Sequence, residues 1–155
     1  CVELDNDYTI KEVGIFPNVS AIAYSQNKIY LASRTKNRVA IVDYATMTLA
    51  DEFEVSPKPV DMFVYFNNLY ILSAENSVVQ VLNTQTDKIT ATIKLNTNGF
   101  STKIYKVPNT NLAIITDAKA GKYSVLNLDR KQVIKTLPMD IPVSELAVTN
   151  KVKKI

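Results

Sequence analysis

The sequence predicts an all-β fold of repeated four-stranded units, and three observations predict it. Nearly the same pattern of residues returns about every 40 positions. Within each copy the apolar runs are short, rich in Val, Ile, Leu, Tyr and Thr, and bounded by Asn, Asp, Ser and Pro, which favour turns. No apolar stripe at helical spacing persists anywhere along the chain. Four strands at this period are the signature of a β-propeller blade rather than of an ankyrin or leucine-rich repeat. The expected architecture is therefore a β-propeller of four-stranded antiparallel blades.

Each element of the unit follows from its residues. The run "IYLAS" at Ile29, Tyr30 and Leu31 recurs as Leu69, Tyr70 and Ile71, and more loosely as Leu112, Ala113 and Ile114. These runs are apolar on both faces, as a strand covered on both sides must be. The next element, "VAIVD" from Val39, answers to "VVQVL" from Val78 and "YSVLN" from Tyr123, with Ile41, Val81 and Val125 equivalent. A third follows each, in which Leu49 and Phe53 correspond to Ile89 and Ile93 and then to Val133 and Leu137. Its alternation of apolar and polar residues suits an outer strand half in water. Before each pair stands a fourth segment, "SAIAY", "DMFVY", "TKIYK" or "SELAV".

Laid end to end, these elements give an outer strand at about 8–16 and blades at about 20–55, 60–95 and 101–138. A fourth blade opens at 142–155, making about three and a half blades. The leading strand "DYTIKEVGIF" is expected to act as the clasp that completes the last blade of a ring. A closed ring needs at least about four blades, so the chain is expected to be part of a larger ring. The competing arrangement is a dimer of two half-rings. In both, open blade faces would favour self-association. Only three glycines serve all the turns. Asparagine, which tolerates the left-handed conformation, is expected in their place at Asn27 and Asn67, with Asn83 and Asn127 aligned on Asp43 at another turn.

The wording of the copies resembles the YVTN family of β-propeller repeats, on "IYLAS…NRVAIVDYATMTLADEFEV" and "LYILSAENSVVQVLNTQTDKITATIKL". The resemblance runs from about Tyr8 to Ile155 and marks the type of blade rather than a ligand. The glycines that usually precede the motif are missing. A chain whose first residue is Cys1 also resembles a mature bacterial lipoprotein, in which a signal peptide is cut before a cysteine that then carries lipid. The alternative is a cysteine internal to a longer protein. The lipoprotein resemblance implies an extracytoplasmic protein, in the periplasm or at the cell surface, with a membrane reached only through acyl chains on Cys1.

Composition narrows the functions further. An apolar fraction of 46% fits a globular domain, and 18 Lys and Arg against 15 Asp and Glu give a net charge of +3. Those charges are spread along the chain, which gives no footprint for nucleic acid. There is no histidine, and Cys-x-x-Cys, Gly-x-Ser-x-Gly, P-loop and Gly-x-Gly-x-x-Gly motifs are missing, so no cofactor or metal is expected and no catalytic set is assigned. The first strand of a blade lines the channel, which makes Asp61, Lys103, Tyr105 and Glu145 the candidate ligand-binding residues. Their plain alternative is a solvated or mutually paired channel lining. Arg34, Lys36 and Arg38 form a basic hairpin tip that would suit an anion or simply be wet, and Tyr30 and Tyr70 share a register suited to packing between blades.

The expected function is that of a non-catalytic extracytoplasmic scaffold, lipid-anchored, whose loops bind a protein, glycan or surface partner. The alternative is the N-terminal half of a propeller enzyme of the lactonase, quinoprotein or haem d1 kind, with its catalytic residues outside this segment. A structural repeat within a surface-layer or adhesion protein is a third.

Overall fold

The computed structural model describes residues 16–97 and 101–139. The expected clasp strand apart from Phe16, the fourth blade, Cys1 and Glu145 lie outside the described residues. Among the described residues, twelve strands form three four-stranded sheets. The first blade is β1 (Val19–Ser25), β2 (Lys28–Ser33), β3 (Arg38–Asp43) and β4 (Thr48–Glu54). The second is β5 (Pro59–Tyr65), β6 (Asn68–Ser73), β7 (Val78–Asn83) and β8 (Lys88–Lys94), and the third is β9 (Lys103–Lys106), β10 (Leu112–Asp117), β11 (Lys122–Asn127) and β12 (Gln132–Pro138). Within each sheet the strands follow chain order and pair antiparallel. Tyr30 pairs with Ile41, Tyr70 with Val81 and Ile114 with Val125, so the three copies share one register in which Ile114, rather than Ala113 as aligned from the sequence, holds the place of the two tyrosines.

The innermost strands converge, with β5 lying beside β1 on one side and β9 on the other. The middle strands alternate between two neighbours, because successive side chains of a strand point to opposite faces. Tyr30, Ala32, Val39 and Ile41 of the first blade pack with Met62, Leu69, Ile71 and Leu82 of the second. On the second blade's other face, Tyr70, Leu72, Val79 and Val81 pack with Ile104, Ala113, Ile115 and Leu126 of the third. Each fully buried Leu or Ile contributes about 1.5–3 kcal/mol relative to exposure, and Leu69, Ile71, Leu72 and Leu82 are all at 0% exposure. Burying both faces of the second blade is what ties the three sheets into one body. The first blade's other face, with Ile29, Leu31, Ala40, Val42 and Met47, is also buried, and Phe16 packs against it.

A bulge recurs in the same place of the first two blades. Val19 and Ala21 face the consecutive residues Ser33 and Ala32, leaving Ser20 as the extra residue, and Val60 is the extra residue between Pro59 and Asp61. Shifts also occur between Ile41 and Val42, Val81 and Leu82, and Val125 and Leu126, opposite the outer strands. Bulges bend a strand and increase its right-handed twist, which suits sheets that fan around an axis.

The turns depart from the expectation about asparagine. Left-handed residues are Asn18, Asn37 and Asn109, but also Gln26, Met47, Lys58, Phe66, Ser77, Asp87 and Lys131, with Gly121 at φ +58. Gln26 and Phe66, rather than Asn27 and Asn67, take the left-handed position of the two-residue hairpins, because a turn matched to strand twist needs φ > 0 at its first central residue. Asn27 and Asn67 instead offer their carbonyls to Tyr44 and Thr84 N–H. Asp43, Asn83 and Asn127 act through their side chains, accepting from Thr46, Gln85 and Thr86, and Arg130 N–H respectively. That contact, with the Thr46 hydroxyl, holds the Asp43 carboxyl below its ordinary value.

Candidate functional site

Asp61 and Lys103 occupy the same register position on neighbouring inner strands. Asp61 Oδ2 accepts the Ile104 N–H at 3.0 Å and lies 4.0 Å from Lys103 Nζ, while Oδ1 accepts the Met62 N–H. The carboxylate thus occupies a backbone donor across a gap between blades that no sheet ladder bridges. Tyr105 stands two residues along from Lys103 on the same side of β9 and is half-buried. The structure brings Asp61 and Lys103 together as a joint between blades.

Tyr30 and Tyr70 are further joints. Both rings are fully buried, and each hydroxyl reaches the turn between the third and fourth strands of the next blade. Tyr30 Oη donates to Asp87 Oδ1 at 3.3 Å, and Tyr70 Oη donates to the Leu128 carbonyl at 2.5 Å. Lys28 strengthens the first joint by pairing with Asp87 and donating to the Thr84 carbonyl. Tyr65 strengthens the second by donating to Asp129 at 3.2 Å, and Phe63 stacks on Tyr70 at 5.3 Å. Burial, aided by the Asp87 charge, raises the Tyr30 phenol well above its usual range, and burial with the Asp129 charge pushes Tyr70 up to about 12.

The basic tip divides into three roles. Arg38 is neutralised by Glu52 and Glu54, at 2.5 Å and 3.2 Å. Lys36 lies over the Phe16 ring, 5.4 Å from its centroid. Arg34 has no ion-pair partner among the described residues and lines an open cleft of about 450 Å³. The other lining residues are Ser20, Val60, Ala74, Ser101 and Thr102. Ser20 and Val60 are the bulged residues of the first two inner strands, and Thr102 holds the same place before β9, its N–H bonded to the Thr116 carbonyl. The first two blades therefore aim one repeated bulge, and the third the equivalent residue Thr102, at one cleft, and bulges are known to re-aim side chains beside binding sites. Arg34 opens the loop after β2, and its equivalents after β6 and β10 are Ala74 and Ala118.

Among the described residues, Ser101 Oγ, at the third-blade side of this cleft, and the buried Asp117 Oδ2 have no hydrogen-bond partner. In the other blades the position of Asp117 is a serine that donates to the incoming connection, Ser33 to the Pro17 carbonyl at 2.7 Å and Ser73 to the Ser56 carbonyl at 2.9 Å. Asp117 cannot donate when ionised, and its Oδ1 accepts the Ala120 N–H instead. Sequence reading passed over Ser20, Val60, Ser101 and Thr102, because a bulge is a property of the pairing and leaves no signal in one strand alone. The signal that was available is Arg34 against alanine at the equivalent positions.

The opposite end of the blades carries exposed aromatics. Tyr24 and Tyr44 meet edge to face at 5.6 Å, Tyr65 and Phe66 at 4.5 Å, and Phe66 is 77% exposed at φ +50.

No family model and no curated protein sequence matches the chain. Among solved structures, it matches the hydrazine synthase of Kuenenia stuttgartiensis with a TM-score of 0.73 at 14% identity, over 86% of this chain and 41% of that one. It matches U3-55K with a TM-score of 0.69 at 10% identity, over 80% of this chain and 40% of that one. The WD40 repeats of RRP9 match with a TM-score of 0.69 at 10% identity, over 80% and 39%. The chain spans about 40% of the length of the structures it matches. The likeness is one of fold, and together with the three converging four-stranded sheets it makes this chain part of a β-propeller.

Proposed function

We propose that this propeller is a non-catalytic binding scaffold of the YVTN repeat type, held outside the cytoplasm by lipid on Cys1. Its partner is a protein, a glycan or another surface component, and the cleft at the bulged end is where that partner is engaged. The observation that carries this reading is the cleft itself, where Ser20, Val60 and Thr102 recur from three blades around Arg34, which has no ion-pair partner among the described residues. Asp61, Lys103, Tyr30 and Tyr70 spend their polar groups on joining blades, as does the Ser20 hydroxyl, which donates to the Pro59 carbonyl at 2.7 Å. The third blade's far face, where Ile114, Tyr123 and Val125 are half-buried, receives a further blade, either from the rest of the ring or from a second copy.

Two experiments test the proposal. An NMR screen of small fragments against the intact protein is expected to move the amides of Ser20, Arg34, Val60 and Thr102. Shifts scattered away from these residues contradict the cleft as the site. Metabolic labelling with a fatty-acid analogue is expected to tag the wild type and spare Cys1→Ser, and an unlabelled wild type contradicts the anchor.

A further inference from the structure

We infer that the cleft takes a carboxylate, bound two-pronged on the Arg34 guanidinium with a neighbouring ligand hydroxyl held at Ser101; this rests on the reading of the cleft as a binding site. Four observations converge on it. Among the basic residues of the tip, Arg38 is already satisfied by two glutamates and Lys36 is seated on an aromatic ring, which leaves Arg34 as the cation directed to the cleft. A guanidinium presents a planar fork of donors that matches a carboxylate in geometry, and such charge-assisted pairs are roughly twice as strong as neutral hydrogen bonds.

Second, the repeat breaks at this position. Ala74 and Ala118 show that the fold needs no long side chain there, and Ala74 leaves the space beside Val60 that Arg34 faces. A residue that departs from its own repeat without a structural partner is a mark of function. Third, Ser101 is fully buried at the cleft, and its hydroxyl has no hydrogen-bond partner among the described residues. A buried hydroxyl without a partner costs about 1–3 kcal/mol, and a ligand hydroxyl or second carboxylate oxygen would satisfy it.

Fourth, the balance of charge selects among anions. By the register of the blades, Asp117 stands across from Ser101, where Ser33 stands across from Val19 and Ser73 across from Pro59. Its carboxylate is 1% exposed and has one oxygen unpaired. One arginine lining the cleft, with the Asp117 carboxylate opposite Ser101, disfavours phosphate with its higher charge relative to a singly charged anion. A volume of about 450 Å³ lies within the range of roughly 300–1,000 Å³ usual for small-ligand clefts. The same carboxylate chemistry is supplied by a free aliphatic acid or by a uronate unit of an acidic polysaccharide.

The test uses the intact protein, titrated with glycolate, glucuronate, a short oligogalacturonate, glucose and inorganic phosphate, read by amide shifts and calorimetry. The acids are expected to move the amides of Ser20, Arg34, Val60 and Thr102, with glucose silent. Arg34→Gln is expected to weaken binding by about ten- to a hundredfold, and Arg38→Gln to leave it unchanged, with both variants melting within about 2 °C of wild type. Response to oligogalacturonate alone assigns the source as polysaccharide, and response to glycolate alone assigns a free acid. Glucose binding as tightly as glucuronate overturns the carboxylate while keeping the cleft as the site. Phosphate binding more tightly than any acid, no response to any probe, or an undiminished Arg34→Gln variant overturns the inference. In the case of no response, the fragment screen still decides whether the cleft binds at all.

Discussion

Replacing Tyr70 by Phe isolates the contact that joins the second blade to the third. The ring stays, with its stack on Phe63 at 5.3 Å, and only the hydroxyl that donates to the Leu128 carbonyl is removed. Tyr70 is completely buried and Leu128 is 1% exposed, so water does not replace the lost donor. Losing the bond and stranding the carbonyl costs about 1–3 kcal/mol. At about 2–4 °C per kcal/mol for a chain of this size, the melting temperature falls by about 2–12 °C.

The same hydroxyl gives the wild type a signature in pH. An unfolded tyrosine titrates near 10, whereas burial and the Asp129 charge hold Tyr70 at about 12. The folded chain keeps a proton that the unfolded chain releases. The contribution is therefore complete below about pH 10 and is lost as pH rises through about 12, on the order of 2–3 kcal/mol in all. Urea unfolding followed by circular dichroism, repeated from pH 7 to 11.5, should show the gap between wild type and Tyr70→Phe closing above pH 10. Tyr30 titrates in both proteins and cancels from the difference, since it lies in the other interface. A gap below about 0.3 kcal/mol at pH 7, or one that stays constant through pH 11.5, would refute the reasoning.

Three further outcomes follow from the same packing. Ile71→Ala, at a side chain wholly buried between the first two blades, is expected to lose about 2–5 kcal/mol in urea unfolding at pH 7. Asp61→Ala strands the Ile104 N–H and should cost about 1–3 kcal/mol, whereas Asp61→Asn keeps an acceptor there and should cost less than half as much; equal losses would show that charge, not the hydrogen bond, matters. Gln26→Gly relieves a left-handed residue in an exposed hairpin and is expected to raise stability by up to about 1 kcal/mol, seen as a higher melting temperature.

The strands were legible because burial leaves a periodic record. A segment such as "LYILS" is apolar at every position only if both faces are covered, and β6 is buried from Leu69 to Ser73. Tyr30 and Tyr70 could be matched by register, and the structure uses both as joints between blades. The turns were less legible. Backbone twist imposes φ > 0 at Gln26, Phe66 and Met47 whatever side chain stands there, so the preference of asparagine for that region did not predict where it falls. The cleft was least legible of all. Asp61 and Lys103 look like channel residues in one strand, yet only the neighbouring strand shows that each is spent on the other blade. Ser20, Val60 and Thr102 become equivalent only once the bulge is seen in the ladder.

The direction in which the tyrosines point tests the architecture most directly, through nuclear Overhauser contacts from the rings of Tyr30 and Tyr70 in the intact protein. Blades stacked in sequence around an axis place Tyr30 against Leu69 and Leu82 of the second blade, and Tyr70 against Leu126 and Leu128 of the third. Contacts in that one-way order are the predicted result. Contacts between the two tyrosine rings themselves, as two sheets packed face to face would give, would contradict it.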